Sequence, residues 1–440
     1  MLKLAFTIVR LAAALALLVF AWDWRAPDFV AWRAWIFAGL IGGASALVVL
    51  ELALWRGLRK QTRLVRIASL LVLATAVLAL LTVSLLEAPF QWMRYRVLHA
   101  DPAVLEKLGR HMVVGYRDFA ELRDLVERRA VGGVFIAPRN VQGRSAAEIR
   151  GEIDALQEIR RRQGLPPLWI AADQEGGIVS RMSPPLVSQP RISTVAGHVD
   201  QAERRRAVRD YAATQGEGLA SLGINLNFAP VVDLDFQVND PNDRYTRISD
   251  RAISRDPQIV SEVAQEYCLA LAQFDVRCTL KHFPGLGRVV GDTHLDAAEL
   301  KTSPDELGRS DWLPFRTAMR DANAFTMLSH VHLTALDPDR PVSFSRVVVA
   351  GLIRGQWKHD GVLVTDDLSM KAAYRSRDGL AGGTVEALNA GVDLILISYD
   401  WSQYFPVMHA LLAAERDGRL QQTALAKSDA RLWLTRPGSR

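Results

Sequence analysis

A chain of 440 residues exceeds one average domain, yet a single α/β barrel with an appended segment accounts for it. With 49% hydrophobic and 23% charged residues the chain is globular rather than disordered. Its net charge of +5 includes no basic run interleaved with aromatics outside the loops flanking the apolar N-terminus, which argues against nucleic-acid binding.

Residues 4–22 are apolar apart from Arg10, residues 36–50 continue past Glu51 to Trp55, and residues 67–86 carry no charge. About 20 helical residues cross a hydrocarbon core of about 30 Å, so residues 1–90 read as a membrane region with three transmembrane helices. A signal peptide is the alternative for the first stretch, but no convincing small-x-small cleavage site follows it before Trp22 and Trp24. The connection holding Arg56, Arg59, Lys60, Arg63 and Arg66 is densely basic and should stay in the cytoplasm. Lys3 then lies inside, and residues 91–440 are extracytoplasmic in a multi-pass cell-membrane protein.

From His111 onward, short β-branched runs alternate with amphipathic stretches, the pattern of βα units on a parallel sheet. Eight strands are expected, at 111–116, 133–137, 168–172, 225–230, 277–281, 325–329, 361–365 and 392–397, giving a (β/α)8 TIM-type barrel over 91–440. Helical spacing is plain in 147–162 and 202–222. Residues 238–249, rich in Asn, Asp and Arg, read as a long loop after the fourth strand. The chain has two cysteines, Cys268 and Cys278, on a helix and the following strand. An oxidising compartment would permit a bridge, but two buried thiols are the favoured reading.

Active sites of such barrels lie at the C-terminal ends of the strands. There the chain places Asp173-Gln-Glu-Gly-Gly177 with Arg181, then Asp233, Lys281-His282, His330 with His332, and Asp366-Asp367. Glycoside cleavage needs one group to protonate the leaving oxygen and another to meet the oxocarbenium ion. Asp366, on a rigid strand end, suits the second role, although by position Asp366 or Asp367 serves equally well as a cap for the next helix. In the glycine-punctuated loop 285–294, Asp292 can orient the His294 imidazole as a proton-shuttling dyad. From position alone an ordinary solvated loop histidine is the better reading. His330 and His332 face one side of a strand, but no further metal ligand is placed by spacing. Neither a phosphate loop nor a dinucleotide fingerprint follows any strand.

These motifs together resemble glycoside hydrolase family 3, and within it the single-domain bacterial β-N-acetylglucosaminidases. Leu352-Ile-Arg354, Gln356 and Gly361-Val-Leu-Val-Thr-Asp366-Asp-Leu-Ser369 are similar to the family's active-site signature, and Lys281-His-Phe-Pro-Gly-Leu-Gly287 with Asp292-Thr-His294 to the subgroup's loop. The resemblance covers about residues 97–433. It implies Asp366 as nucleophile, His294 with Asp292 as general acid/base, and Asp173, Arg181, Arg251, Lys281 and His282 as ligands of the sugar. It further implies a two-step retaining cleavage of terminal β-linked N-acetylglucosamine, on peptidoglycan-type saccharides, with no metal or organic cofactor. Ile178 and Leu286 depart from the arginine and histidine of many members. The alternatives are a glycosidase with another sugar preference, a phosphorolytic variant, or a membrane receptor that binds saccharides without cleaving them. The expected partners are thus a saccharide and, through the N-terminal helices, a lipid bilayer.

Overall fold

The structure, a computed structural model, describes residues 2–58, 62–238, 240–241, 243–295 and 297–438. Arg59 and Lys60 of the basic connection, and Asn239 and Asn242 of the polar loop, lie outside the described residues. The chain forms two compact units, Met1–Arg96 and Val97–Arg440.

The first unit is built from α1 (Leu2–Asp23), α2 (Arg33–Leu58) and α3 (Arg63–Leu98). The three helices are long and apolar enough to cross a membrane, over Ala5–Asp23, Arg33–Trp55 and Arg63–Leu98. The two charges that interrupt the first two apolar stretches are paired: the Arg10 guanidinium donates to Glu51, with both side chains buried, and to Thr7 Oγ1 at 3.0 Å. Taken out of water, either charge alone would be costly, and the pair with its extra acceptor offsets that cost. α3 continues beyond Leu86 with Pro89 inside it, so the apolar run ends before the helix does.

The second unit starts with α4 (Pro102–Gly109), capped by Asp101, whose Oδ1 accepts from Ala103 N and Val104 N. Eight parallel strands follow: β1 (Met112–Val114), β2 (Gly133–Phe135), β3 (Trp169–Ala172), β4 (Leu226–Asn227), β5 (Arg277–Phe283), β6 (Phe325–Leu328), β7 (Leu363–Thr365) and β8 (Ile395–Ile397). Their order, β7-β6-β5-β4-β3-β2-β1-β8, makes a nearly closed barrel. The seam between β7 and β8 is spanned by the Val364–Leu394 bridge and by Thr365 N donating to Leu394 O at 3.0 Å. Every expected strand is present and most are shorter than their apolar runs. β4 stops at Asn227 within 225–230, where Pro230 has no N–H to offer a ladder.

The strands are wrapped by α5 (Phe119–Glu127), α6 (Ala146–Arg162), α7 (Gln201–Ser221), α8 (Pro257–Ala272), α9 (Trp312–Asp321), a π-helical stretch Val347–Gln356, α10 (Gly379–Ala390), α11 (Tyr404–Arg416) and α12 (Gln422–Thr435). α6 starts where its sequence says it should, since Ser145 and Glu148 form a reciprocal capping box. Inside the barrel, Phe135 stacks on Phe228 and Trp169 meets Phe325 edge-on, with Val113, Met327, Val364 and Leu396 filling the same core.

The thiol reading of the cysteines is corrected. Cys268 of α8 and Cys278 of β5 are joined as a disulfide, their Cα atoms 5.3 Å apart. The short turn between helix and strand brings the two positions within bridging range, which sequence spacing alone cannot fix. Closing so short a loop removes about 2–3 kcal/mol of unfolded-chain freedom. Cys278→Ser is therefore expected to lower the thermal unfolding midpoint by several degrees, and reductant should do the same to the unmodified chain. Equal midpoints with and without reductant would count against the bridge.

Candidate active site

At the C-terminal end of the barrel a buried charge cluster joins three strand ends. Glu175, just beyond β3, receives a two-pronged bond from Arg251, with Nε at 2.9 Å and Nη2 at 2.7 Å, and a further contact from Lys281 Nζ at 2.6 Å. Lys281 Nζ also donates to Asp173 Oδ1 at 2.7 Å. Arg251 Nη1 donates to Thr246 O at 2.7 Å. Burial opposes ionisation of Glu175, but Arg251 and Lys281 prevail and hold its pKa at about 2. Both cations are raised in turn despite burial, chiefly by Glu175 for Arg251 and by Asp173 and Glu175 for Lys281.

Local backbone geometry fixes this cluster. Gly176 adopts φ +91°, and a Cβ there would lie 1.9 Å from the Tyr211 hydroxyl, which donates to Glu175 O and Pro190 O. The Asn227 amide, at the end of β4, both donates to Gln174 O and accepts from Gln174 N, extending the sheet by a side chain. His282 is oriented from behind. Its backbone N–H and Nδ1 both meet Asp233, at 3.0 and 2.7 Å, while Nε2 faces Arg251 Nη2 at 3.3 Å. Because arginine only donates, Nε2 accepts and Nδ1 carries the proton.

The loop after β5 brings up the dyad. Asp292 is buried and accepts from Arg244 N, Tyr245 N, Thr246 Oγ1 and His294 N, with His294 Nδ1 at 3.2 Å from its Oδ1. Burial alone would raise this carboxyl, but the bonds from His294 and the loop amides hold it well below the usual carboxylate range. His294 is half exposed, and the Tyr245 ring lies 5.8 Å from its own. Gly287 is required by close approach, since a Cβ would meet Leu234 O at 1.9 Å.

Asp366 follows β7. Its N–H donates to Leu328 O at 2.8 Å, and its Oδ1 accepts from Asp367 N at 2.8 Å. Burial pushes its pKa up, but in acid the protonated His282, His330 and His294, with the bond from Asp367 N, outweigh this and leave it below the ordinary range. The three expected catalytic residues thus share one electrostatic neighbourhood.

The sequence of residues 103–434 matches the model of the Glycosyl hydrolase family 3 N terminal domain. The chain belongs to glycoside hydrolase family 3. It is 34% identical over 340 residues to the "Beta-hexosaminidase LpqI" of Mycobacterium tuberculosis, covering 75% of this chain and 83% of that one. It is also 34% identical over 282 residues to a "Beta-hexosaminidase" of Pseudomonas aeruginosa, covering 64% and 79%. Among solved structures, that of M. tuberculosis LpqI superposes with a TM-score of 0.66 at 31% identity, covering 78% of this chain and 97% of that one. The family 3 β-N-acetylglucosaminidase of Paenibacillus sp. superposes with a TM-score of 0.68 at 31% identity, covering 75% of this chain and 61% of the longer Paenibacillus chain.

This family 3 hydrolase therefore uses its strand ends unevenly. Asp173, Arg251, Lys281 and His282 converge; Arg181 does not, being exposed, with a guanidinium that meets no partner among the described residues. Asp367 is committed to structure, accepting from Ser369 N, Ser398 N and Tyr399 N. His330 donates from Nε2 to Asp367 O at 3.1 Å and accepts from Ser343 at 2.7 Å, so it braces the Asp366 turn as a neutral ring whose pKa burial lowers. His332 meets Pro338 O instead, so the two histidines address different partners. Sequence reasoning placed Asp233 and the run containing Glu175 at strand ends without giving either residue a role, and it missed Thr246, which touches both Asp292 and His294.

Proposed function

We propose that this glycoside hydrolase is a retaining exo-β-N-acetylglucosaminidase acting on cell-wall, peptidoglycan-type saccharides. The reading is carried by one observation: the Asp292–His294 dyad shares its neighbourhood with an ionised Asp366 at a strand end. Asp366 attacks the anomeric carbon as the bond to the leaving oxygen breaks, and His294, whose Nδ1 is turned to Asp292, gives that oxygen a proton from Nε2. Water then loses a proton to His294 as it displaces Asp366. Asp173, Arg251, Lys281 and His282 hold the sugar's polar groups, joined by Arg181 once substrate is bound. The sugar preference is supported by the names of the M. tuberculosis and P. aeruginosa relatives.

The full chain in neutral detergent is expected to turn over a chromogenic N-acetyl-β-glucosaminide far faster than the plain β-glucoside. His294→Ala should cost about 10²–10⁴-fold on substrates whose leaving group needs a proton and much less on activated aryl glycosides. Equal losses on both would remove His294 from the acid role, and preference for the glucoside would reassign the sugar.

We further propose that residues 1–90 form a three-pass membrane region and that the hydrolase domain, 91–440, faces the extracytoplasmic side. Outward-facing apolar side chains such as Val19, Val49 and Leu85, with exposed Trp22, Trp32 and Trp35, suit lipid and its interface. The Cys268–Cys278 bridge suits an oxidising compartment. Alkaline phosphatase fused after Phe90 should be active. Activity only of a cytoplasmic reporter there would invert the topology.

A further inference from the structure

A second cleft, of about 280 Å³, opens at the other end of the barrel from Asp366, lined by residues that precede or begin the strands, such as Gly132 and Trp169. Four arginines, Arg110, Arg129, Arg160 and Arg436, line it against two carboxylates, Glu106 and Asp429. Arg129 pairs with Glu106 at 2.8 Å and Arg110 with Asp429 at 3.3 Å, which leaves positive charge in excess.

Arg160 is the unusual member. It is 5% exposed, and among the described residues the one hydrogen bond of its guanidinium runs from Nε to Pro166 O at 3.2 Å. No carboxylate lies within ion-pair distance of it among the described residues. Burial pulls its pKa down to about 10, the Glu106 carboxylate opposing this and Arg110 and Arg129 adding to it, so it is still charged at neutral pH. Glu106, the carboxylate whose field reaches Arg160, is already paired with Arg129, and a desolvated cation with no direct ion-pair partner gains from an anion placed beside it. The planar guanidinium fork matches two oxygens of a tetrahedral oxyanion, and further arginines around the same cleft suit a group with more than one anionic oxygen.

We propose that this cleft binds a phosphate group, with the buried Arg160 guanidinium as its anchor and Arg129 and Arg110 at its mouth. The group is either free phosphate or the headgroup of a phospholipid. Apolar lining from Leu165 and Trp433, the latter 56% exposed, would accept the glycerol end of a lipid.

The test is calorimetric titration of the full chain, in neutral detergent, with inorganic phosphate and separately with short-chain dihexanoyl phosphatidylglycerol. At least one probe is expected to bind saturably. Arg160→Met should weaken that binding by about tenfold or more, the loss expected for a charged hydrogen-bond pair, with glycosidase turnover unchanged. Saturation by phosphate alone identifies a free-phosphate site; binding of the lipid only identifies a headgroup site. Absence of saturable binding of either probe to the folded chain overturns the proposal, as does undiminished binding by folded Arg160→Met. If Arg160→Met does not fold, Arg129→Gln decides: tenfold weaker binding supports the site, and unchanged binding overturns it.

Discussion

Asp366→Asn is expected to lower kcat/KM on the chromogenic N-acetyl-β-glucosaminide by on the order of 10⁴-fold or more, as loss of a covalent nucleophile does in other hydrolases. The amide keeps the shape of the side chain and the bond from Asp367 N, but it has no charge to meet the anomeric centre. Stability should fall only modestly, because Asp366 makes no ion pair among the described residues and loses only the favourable field that lowers its pKa. Activity measured beside a thermal midpoint separates the two effects. A folded variant keeping more than about a hundredth of the activity would move the nucleophile elsewhere, yet the neighbouring carboxylates are poorly placed to take over. Asp367 is engaged by Ser369, Ser398 and Tyr399, and Asp173 by Lys281. Since the neighbouring imidazoles hold the Asp366 carboxyl below its ordinary range, it stays ionised across neutral pH, and activity carried by it is lost only on acidification.

How much of this was legible in the sequence differs between fold and site. Barrel strands are buried on both faces, so most read as short apolar or β-branched runs with few polar interruptions, and all eight could be placed. What the runs could not show is where pairing stops, because strands such as β4 end on proline chemistry and on side-chain bonds like those of Asn227. Position alone left Asp366 an equally good helix cap and His294 a solvated loop residue, and it was the motif that singled out Asp366 and the Asp292–His294 pair. Glu175 was not legible in this way, although it sits in the same Asp173-Gln-Glu175 run as a residue that was singled out. Which of two nearby carboxylates turns inward depends on the Gly176 turn and on Tyr211 behind it, and neither is encoded in local periodicity. Gly176-Gly177 after a strand was the available signal, since paired glycines there announce a sharp reversal that redirects the preceding side chain. The disulfide depended in the same way on a turn whose geometry spacing does not determine.

Glu175→Gln is expected to have the largest effect on stability of any single change at the site. It leaves Lys281, 3% exposed, with Asp173 and takes from Arg251, 9% exposed, its ion-pair partner among the described residues. Breaking a buried ion pair from one side costs about 3–5 kcal/mol, because the surviving charge stays desolvated. The same change should lower kcat/KM by about 10²-fold, since the cations proposed to meet sugar hydroxyls are no longer held in place. Acid supplies an independent readout. The Glu175 carboxyl is held at about 2 in the folded chain against an ordinary 4.5, so its contribution is complete above about 4.5 and is lost as pH falls towards about 2. Thermal midpoints of the unmodified chain should therefore fall more steeply over that window than those of Glu175→Gln. Parallel curves, with the variant destabilised by less than about 1 kcal/mol, would mean that Asp173 and Asp233 satisfy both cations without Glu175. The opposite result would make Glu175, a residue placed to touch Arg251 and Lys281 rather than the scissile bond, the keystone on which sugar binding depends.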